Sequence, residues 1–407
     1  MTPEDRACER DAADALAAYR ARFTLPQGII YLDGNSLGAL PVATPQVLQQ
    51  VIAHEWGDGL IRSWNSAGWF AAAGRVGAKI APLIGAAPGE VIACDSTSVN
   101  LFKLIAAALA MRPGRKAVLS EPGNFPTDLY MIAGLEAQGL ATRRLAERGR
   151  LAEALDSDVA LLMLTHAHYK TGALHDMAAL TRAAHEAGAL VLWDLSHSTG
   201  ALPIDLNGAN ADFAVGCGYK YLCGGPGAPA FAFVAERHQA SLQQPLTGWF
   251  GHAAPFAFDD DYEGAPGIDR LQCGTPPVLG LAALEVGVDL IAEIGVARLY
   301  EKSQALSEFF LESLMAHDVT LEQVSPARSA DRGSQLSFRH PEAYAICQAL
   351  IARGVIGDFR APDVLRLGFA PAYLSFADMA AAARHLAEVL ASGEWQREEF
   401  NQRAAVT

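Results

Sequence analysis

From about residue 90 to residue 234, short apolar runs alternate with segments of helical character, and few architectures accept that pattern. The runs Val91–Cys94, Ala117–Ser120, Val159–Thr165, Ala189–Asp194 and Phe213–Val215 read as strands. Helices are expected between them near 98–110, 127–138 and 176–187. Such alternation predicts an α/β fold: a mostly parallel central sheet flanked by helices. Ala230–Val234 reads as one further strand. In sheets of this kind a ligand sits beyond the carboxyl ends of the strands. Ser96, Asn124, Thr165 and Asp194 all stand at or just past such ends, so one crevice could collect them.

The flanks read differently. Residues 4–22 predict an amphipathic helix opened by Pro3, followed by a short strand at Ile29–Leu32 and a helix over about 44–56. Residues 243–275 are rich in Gly, Pro and aromatic side chains and read as loop. After Pro276-Pro277 two long helices are expected, the second over about 296–315. A different alternation closes the chain: strands at Gln335–Phe338, 355–359 and 363–368, helices over 342–353 and 376–391, and a polar tail from Ser392 expected to fray. The expected division is an N-terminal segment, 1–60, joining the small domain or a dimer contact. A large cofactor-binding domain, 61–275, follows, then a linking helix and a smaller α+β domain over 276–407.

The net charge of −14 argues against a nucleic-acid partner. Half of the chain is hydrophobic (51%) and 19% is charged, which excludes general disorder. Charge, Gly or Pro interrupts every apolar run before membrane-spanning length, so no membrane partner is expected. The six scattered cysteines form no C-x-x-C pair and the acidic N-terminus lacks a signal pattern, which together suggest a reduced, cytoplasmic setting.

Chemistry concentrates between Ala189 and Gly227. Lys220 lies among Gly216, Gly218, Gly224, Gly225 and Gly227. The plainer reading is a lysine snorkelling to solvent. Repeated glycine weighs against it, because it marks close backbone approach to a ligand, and a desolvated amine is a usable nucleophile or base. Asp194 ends an apolar strand. It either caps the following turn or answers a cation; a protonated pyridine nitrogen facing a carboxylate is what makes pyridoxal 5'-phosphate an electron sink. His197 could flank a planar ring or be a satisfied core histidine. Ser96-Thr97-Ser98, between a strand and a helix, offers hydroxyls, N–H groups and a helix dipole to a phosphate, although an ordinary N-cap explains it alone. Phe125-Pro126-Thr127-Asp128 offers an aromatic plate and a carboxylate, or simply opens a helix. Tyr219 could donate its phenol or act as an acid. Arg366, alone in an apolar strand, either binds a substrate carboxylate through its fork or pairs with Asp358 or Asp363.

Tyr31-Leu32-Asp33-Gly34-Asn35-Ser36-Leu37-Gly38, the Phe-Pro-Thr-Asp segment, Asp194-x-x-His197 and Gly218-Tyr219-Lys220-Tyr221-Leu222 together resemble kynureninase. The likeness runs from about residue 29 to about 385. Asp-x-x-His plus lysine is shared across the aminotransferase class V group; Asp33–Gly38, Leu246–His252 and Gly274-Thr275-Pro276-Pro277 are more specific. The resemblance implies a fold type I pyridoxal-phosphate enzyme that hydrolyses the Cβ–Cγ bond of L-kynurenine, in tryptophan catabolism and the route to NAD. Lys220 would then hold the cofactor and Tyr219 serve as a catalytic acid. Thr97, Ser98 and Tyr219 would meet the phosphate or its surroundings, Phe125 stack on the ring, and Thr165, Asp194 and His197 line it, with Pro126, Thr127 and Asp128 at its border. Trp249 and Thr275 match cofactor-site positions that the family supplies from the partner subunit, which implies a homodimer. Arg366 matches the residue for the substrate carboxylate. Asn35, Trp64 and Gly274 fall near the substrate. A large indole beside a glycine offers little to a ring hydroxyl, so L-kynurenine is expected over its 3-hydroxylated form, which the resemblance also allows.

Three competitors share parts of this pattern. A cysteine desulfurase or another class V lyase would need a mobile cysteine late in the chain, and Cys347 sits in an expected helix. A zinc hydrolase could use His166-x-His168 with Asp194 and His197 but leaves Lys220 unexplained; the favoured reading has no metal. A cofactor-bearing regulator would need a basic DNA-binding domain that this composition lacks.

Overall fold

The structure is a computed structural model that describes residues 2–403. Its large sheet has seven strands: β1 (Val91–Ala93), β2 (Ala117–Ser120), β3 (Thr142–Leu145), β4 (Val159–Thr165), β5 (Leu190–Asp194), β6 (Phe213–Gly216) and β7 (Phe231–Val234). Their order is β1-β7-β6-β5-β4-β2-β3. All neighbours are parallel except β7, which runs antiparallel to both β1 and β6. Strands β4, β5 and β6 are buried at every residue, the signature of a sheet covered on both faces. The helices Thr97–Met111, Pro126–Ala137 and Met177–Glu186 lie within a residue or two of their expected places. Strand β3 was not expected. Its four residues, Thr-Arg-Arg-Leu, are mostly exposed at the sheet edge, where apolar patterning is weak and arginines blunt the open rim.

A second sheet is built from β8 (Glu322–Gln323), β9 (Gln335–Arg339), β10 (Asp358–Arg360) and β11 (Val364–Gly368), antiparallel in the order β8-β9-β11-β10. The N-terminal segment reaches it: Ile30–Tyr31 pairs in parallel with Val355–Ile356, and Asp33 bridges to Gly368. The long helices Val278–Ile294 and Val296–Ala316 run between the two sheets in the chain.

Three expectations need correction. The first helix ends at Ala12 rather than near residue 22, and a 3-10 turn resumes at Ala17. Asp14 is responsible: its Oδ1 accepts from the Leu16 N–H at 2.8 Å and its Oδ2 pairs with Lys302 at 2.7 Å. The helix over about 44–56 is α-helical only to Gln50, then widens into a π-helix over Val51–Gly59 that stops at Leu60 with φ of 53°. The tail does not fray where it is described. Trp395 lies 5.9 Å from the His340 ring, Phe400 is buried, and the Tyr344 hydroxyl donates to the Gln402 carbonyl. Residues 404–407 of that tail lie outside the described residues.

Candidate active site

A cavity of about 460 Å³ opens at the carboxyl ends of β1, β4, β5 and β6. At one end stands the helix Thr97–Met111. Ser96 caps it, its Oγ accepting from the Val99 N–H at 3.3 Å, and the hydroxyl-bearing Thr97 and Ser98 face the cavity. Unpaired N–H groups, two hydroxyls and the helix dipole make this end a cradle for an anion.

Lys220 occupies the turn after β6 and is 8% exposed. Its Nζ lies 3.0 Å from His197 Nε2, 5.7 Å from the Phe125 ring centre and 5.9 Å from that of Tyr219. Burial, then the charges of Lys220 and Arg366, hold His197 well below the usual histidine range. A neutral ring that accepts at Nε2 carries its proton on Nδ1, and that buried atom has no protein partner. The turn is shaped from outside: Gly38 donates its N–H to the Tyr219 carbonyl at 2.8 Å, and an added Cβ there would overlap the Lys220 carbonyl. Burial, followed by the charge of Cys217, raises the Tyr219 phenol above its ordinary range, so it enters any reaction as a donor.

Asp194 ends β5, 2% exposed; its Oδ1 accepts from the Ser196 N–H at 2.8 Å. Among the described residues no cation forms an ion pair with it. Burial raises its pKa above the usual carboxylate range. Behind it Thr165 donates to Asn124 and lies 3.2 Å from Asp128 Oδ2, while Asp128 Oδ1 is buried without a partner. Burial and the neighbouring charge of Asp194 push Asp128 well above its ordinary value. Two buried carboxyl groups at one end of a cavity suit a cationic or N–H-bearing guest. The donor set therefore fits a flat heterocycle with a phosphate at one end, a basic ring nitrogen at the other and an amine-reactive carbon toward Lys220. Phe125, Thr127 and Tyr169 complete the wall.

Arg366 lies beside this cavity in β11, 1% exposed. Asp358 takes its Nε, at 2.8 Å, and its Nη2. Nη1 donates to the Tyr169 carbonyl and Nη2 to Ser36 Oγ, both at 2.7 Å. The pairing with Asp358 is thus present, and Asp363 instead pairs with Arg339. Asn35 is buried here, placed to accept from Arg366 Nε at 3.1 Å once its amide is turned. Arg360 also binds Asp358, at 2.6 Å.

Of the residues singled out from sequence, Thr97, Ser98, Phe125, Thr127, Thr165, Asp194, His197, Tyr219 and Lys220 all border the cavity. Asp128 lies behind Thr165, and Pro126 is the first residue of its helix. Trp64, Trp249, Gly274 and Thr275 do not border it within one chain. Trp64 packs 5.9 Å from Trp69 and from Phe250; Trp249 is 41% exposed and 5.0 Å from Phe250. Asp95, Tyr169 and Arg360 escaped the sequence reading. Asp95 carries a φ of 50°, which no pattern announces, and Tyr169 enters through a loop fold. His166 and His168 turn to different partners, Ser198 Oγ at 3.0 Å and the Gly123 carbonyl at 2.9 Å. No group of three potential metal ligands is found among the described residues. Cys347 is fully buried in the helix Ala343–Ala352, and burial raises its thiol out of the reactive range.

The same architecture recurs in solved structures. A cysteine desulfurase from Thermococcus onnurineus NA1 superposes with a TM-score of 0.78 at 18% identity, over 92% of this chain and 98% of that one. One from Escherichia coli gives 0.78 at 19%, over 93% and 99%. Fold and site define a class: the fold type I enzymes of the aminotransferase class V group, built around a buried lysine. Within that class, residues 299–386 match the kynureninase C-terminal domain. The chain is 50% identical to the kynureninase of Burkholderia pseudomallei (strain K96243) and 49% identical to that of Pseudomonas fluorescens, over the full length of each. It belongs to the kynureninase family.

Proposed function

We propose that this protein hydrolyses L-kynurenine to anthranilate and L-alanine, with pyridoxal 5'-phosphate held on Lys220. The observation that carries the reading is the cavity itself: Lys220 Nζ beside His197, in one cavity with buried Asp194 and the Ser96-capped helix. When bound, the cofactor supplies an electron sink for the charge that develops at the substrate α-carbon. Asp194 would keep the cofactor's ring nitrogen protonated, and Thr97 and Ser98 would hold its phosphate. Lys220 Nζ would take the α-proton and return protons later. One water adds to the carbonyl next to the ring. The Cβ–Cγ bond then breaks, leaving anthranilate and a three-carbon fragment that Tyr219 protonates to alanine. Arg366 binds the α-carboxylate through its Nη1–Nη2 edge once Ser36 Oγ yields its Nη2 hydrogen, while Asp358 keeps hold of the Nε side.

The catalytic unit in this reading is a homodimer in the cytoplasm, in which Trp249, Gly274 and Thr275 complete the site of the neighbouring subunit. Exposed Trp249, Phe256 and Phe258, with an apolar cleft of about 640 Å³ flanked by Leu40, Leu48, Ile52 and Leu279, give a second copy a surface to cover. No helix among the described residues is long and apolar enough to cross a membrane. Trp64 and Gly274 favour the substrate without a ring hydroxyl. Mixing the purified protein with L-kynurenine should change its visible absorbance and release anthranilate fluorescence. Lys220→Ala should lose both turnover and the visible band; a variant that stays yellow would overturn the assignment of Lys220.

A further inference from the structure

After β4 the chain leaves the large sheet in a turn, His168 to Ala173, that lies against the antiparallel sheet carrying Arg366. The Tyr169 carbonyl accepts from Arg366 Nη1 at 2.7 Å and from Gln335 Nε2 at 3.1 Å. The Lys170 carbonyl accepts from Ser337 Oγ at 2.6 Å, and Lys170 Nζ donates to the Ala361 carbonyl at 2.8 Å. The Gly172 carbonyl accepts from the Gly333 N–H at 2.8 Å. These bonds make the turn a polar seam between the two sheets. Asp358 fixes the Nε side of the Arg366 guanidinium, and the Tyr169 carbonyl fixes the Nη1 end. Nη1 carries two hydrogens, so one remains for a carboxylate. A planar fork pairs well with a carboxylate only in its own plane, so the place of that one backbone oxygen sets the clamp.

The oxygen is held in place by the side chain one residue earlier. His168 Nδ1 accepts from the Lys170 N–H at 3.3 Å and from the Thr171 N–H at 3.2 Å, and the His168 carbonyl accepts from the Gly172 N–H at 2.7 Å. His168 Nε2 lies 2.9 Å from the Gly123 carbonyl. A carbonyl can only accept, so Nε2 carries the proton and Nδ1 is left free to accept. The ring also stacks on that of Tyr169, with centres 5.3 Å apart. A second proton would put a hydrogen on Nδ1, facing two N–H donors, and undo the staple. Burial holds His168 below the ordinary histidine value of 6.5, against the charge of Glu121. Glu121, Arg148 and His175 face it from neighbouring segments, and His197 lies near enough to feel its charge. The bond to Gly123 does not hold the Phe125 plate by itself. Asn124 Oδ1 accepts from the Phe125 N–H at 2.8 Å, and Asn124 Nδ2 donates to Ser120 Oγ at 3.0 Å.

We infer that His168 is a positioning residue for the substrate carboxylate: its imidazole staples the Tyr169 turn and, through the Tyr169 carbonyl, sets the plane of Arg366. The inference rests on the proposed binding of the α-carboxylate at Arg366. It assigns the staple to the form of His168 that bears no charge, so the clamp loosens when that ring takes up a proton.

Two substitutions separate this role from simple filling of space. His168→Asn places a carbonyl oxygen where Nδ1 stood, an acceptor for the N–H two residues on, but takes up no proton and is too short to reach Gly123. His168→Leu removes the acceptor altogether. At about pH 8, His168→Leu should raise KM for L-kynurenine about tenfold, the effect of loosening one hydrogen bond to a charged group, with kcat and cofactor requirement little changed. His168→Asn should keep the wild-type KM there. Between about pH 8 and about pH 5 the wild-type KM should rise as His168 takes its proton, and His168→Asn should lose that rise. Asp33, pushed up to about 7 by burial, sheds its charge beside Arg366 as pH falls and so gives the opposite slope. His197 is present in both proteins and cannot produce a difference between them. Hydrogen–deuterium exchange of the holoenzyme reads the staple without turnover: the amides of Lys170 and Thr171 should exchange faster in His168→Leu and at the wild-type rate in His168→Asn. If His168→Leu does not fold, wild type against His168→Asn decides alone. The same acid rise in KM for both of these proteins, or an unchanged KM in His168→Leu, would overturn the role of His168. A wild-type protein that releases no anthranilate would instead overturn the reading on which it rests.

Discussion

Replacing Asp358 with Asn tests the charge network that presents Arg366. Asp358 is 2% exposed and accepts from Arg366 Nε at 2.8 Å, from Arg366 Nη2, from Arg360 Nη2 at 2.6 Å and from Ser36 Oγ at 3.0 Å. The amide has nearly the same shape, so packing survives and only the charge goes. Two guanidinium groups are then left facing one carbonyl oxygen. Breaking a buried pair from one side costs about 3–5 kcal/mol. Asp33 offsets part of this. It lies 3.8 Å from Arg366 Nη2, and burial and the charge of Asp358 have pushed it up to about 7. With Asp358 neutral, Asp33 ionises more readily and returns some negative charge. A net loss of about 3 kcal/mol is the expected result, or roughly 6–12 °C in Tm for domains of this size. The loss should be larger at pH 5, where Asp33 is protonated, than at pH 8. KM for kynurenine should rise about tenfold or more as the Arg366 fork loses its alignment, with kcat less affected. Thermal melts at the two pH values and steady-state kinetics read all of this. A Tm within about 1 °C of wild type with unchanged KM would refute the argument.

Asp33 also shapes the pH dependence of the wild-type protein. Its native proton affinity is raised above that of the unfolded chain, so its stabilising contribution is complete below about pH 4 and is lost as pH rises through about 7. Asp33→Asn should flatten that decline in Tm; an unchanged profile would remove Asp33 as its source. Gly38→Ala should displace the Lys220 turn, because the new methyl group meets the Lys220 carbonyl. A loss of roughly 2 kcal/mol or more and weakened cofactor retention on dialysis are expected, and full retention at unaltered Tm would contradict the contact.

The alternation of apolar runs and helices was enough to place the central sheet, because strands buried on both faces must be apolar along their whole length, as Leu161 to Leu164 and Leu190 to Trp193 are. Lys220, Asp194 and the Ser96 cap were legible for a similar reason. Each is a polar group at the end of an apolar strand, and such ends converge in a parallel sheet. Other features depend on contacts between residues far apart in the chain. Arg366 could have faced a substrate or an internal carboxylate; only the pairing of β10 with β11 sets Asp358 against it. Tyr169 enters the cavity because a loop from one domain offers its carbonyl to that arginine. Lys103 reads as one cation in an apolar helix until Leu271, 168 residues further on, is folded against it. Local pattern carries what a strand or a helix needs from its own sequence. The partners of a buried charge are chosen by tertiary packing, since any of several carboxylates or carbonyls would satisfy it and only the folded chain decides which lies within reach.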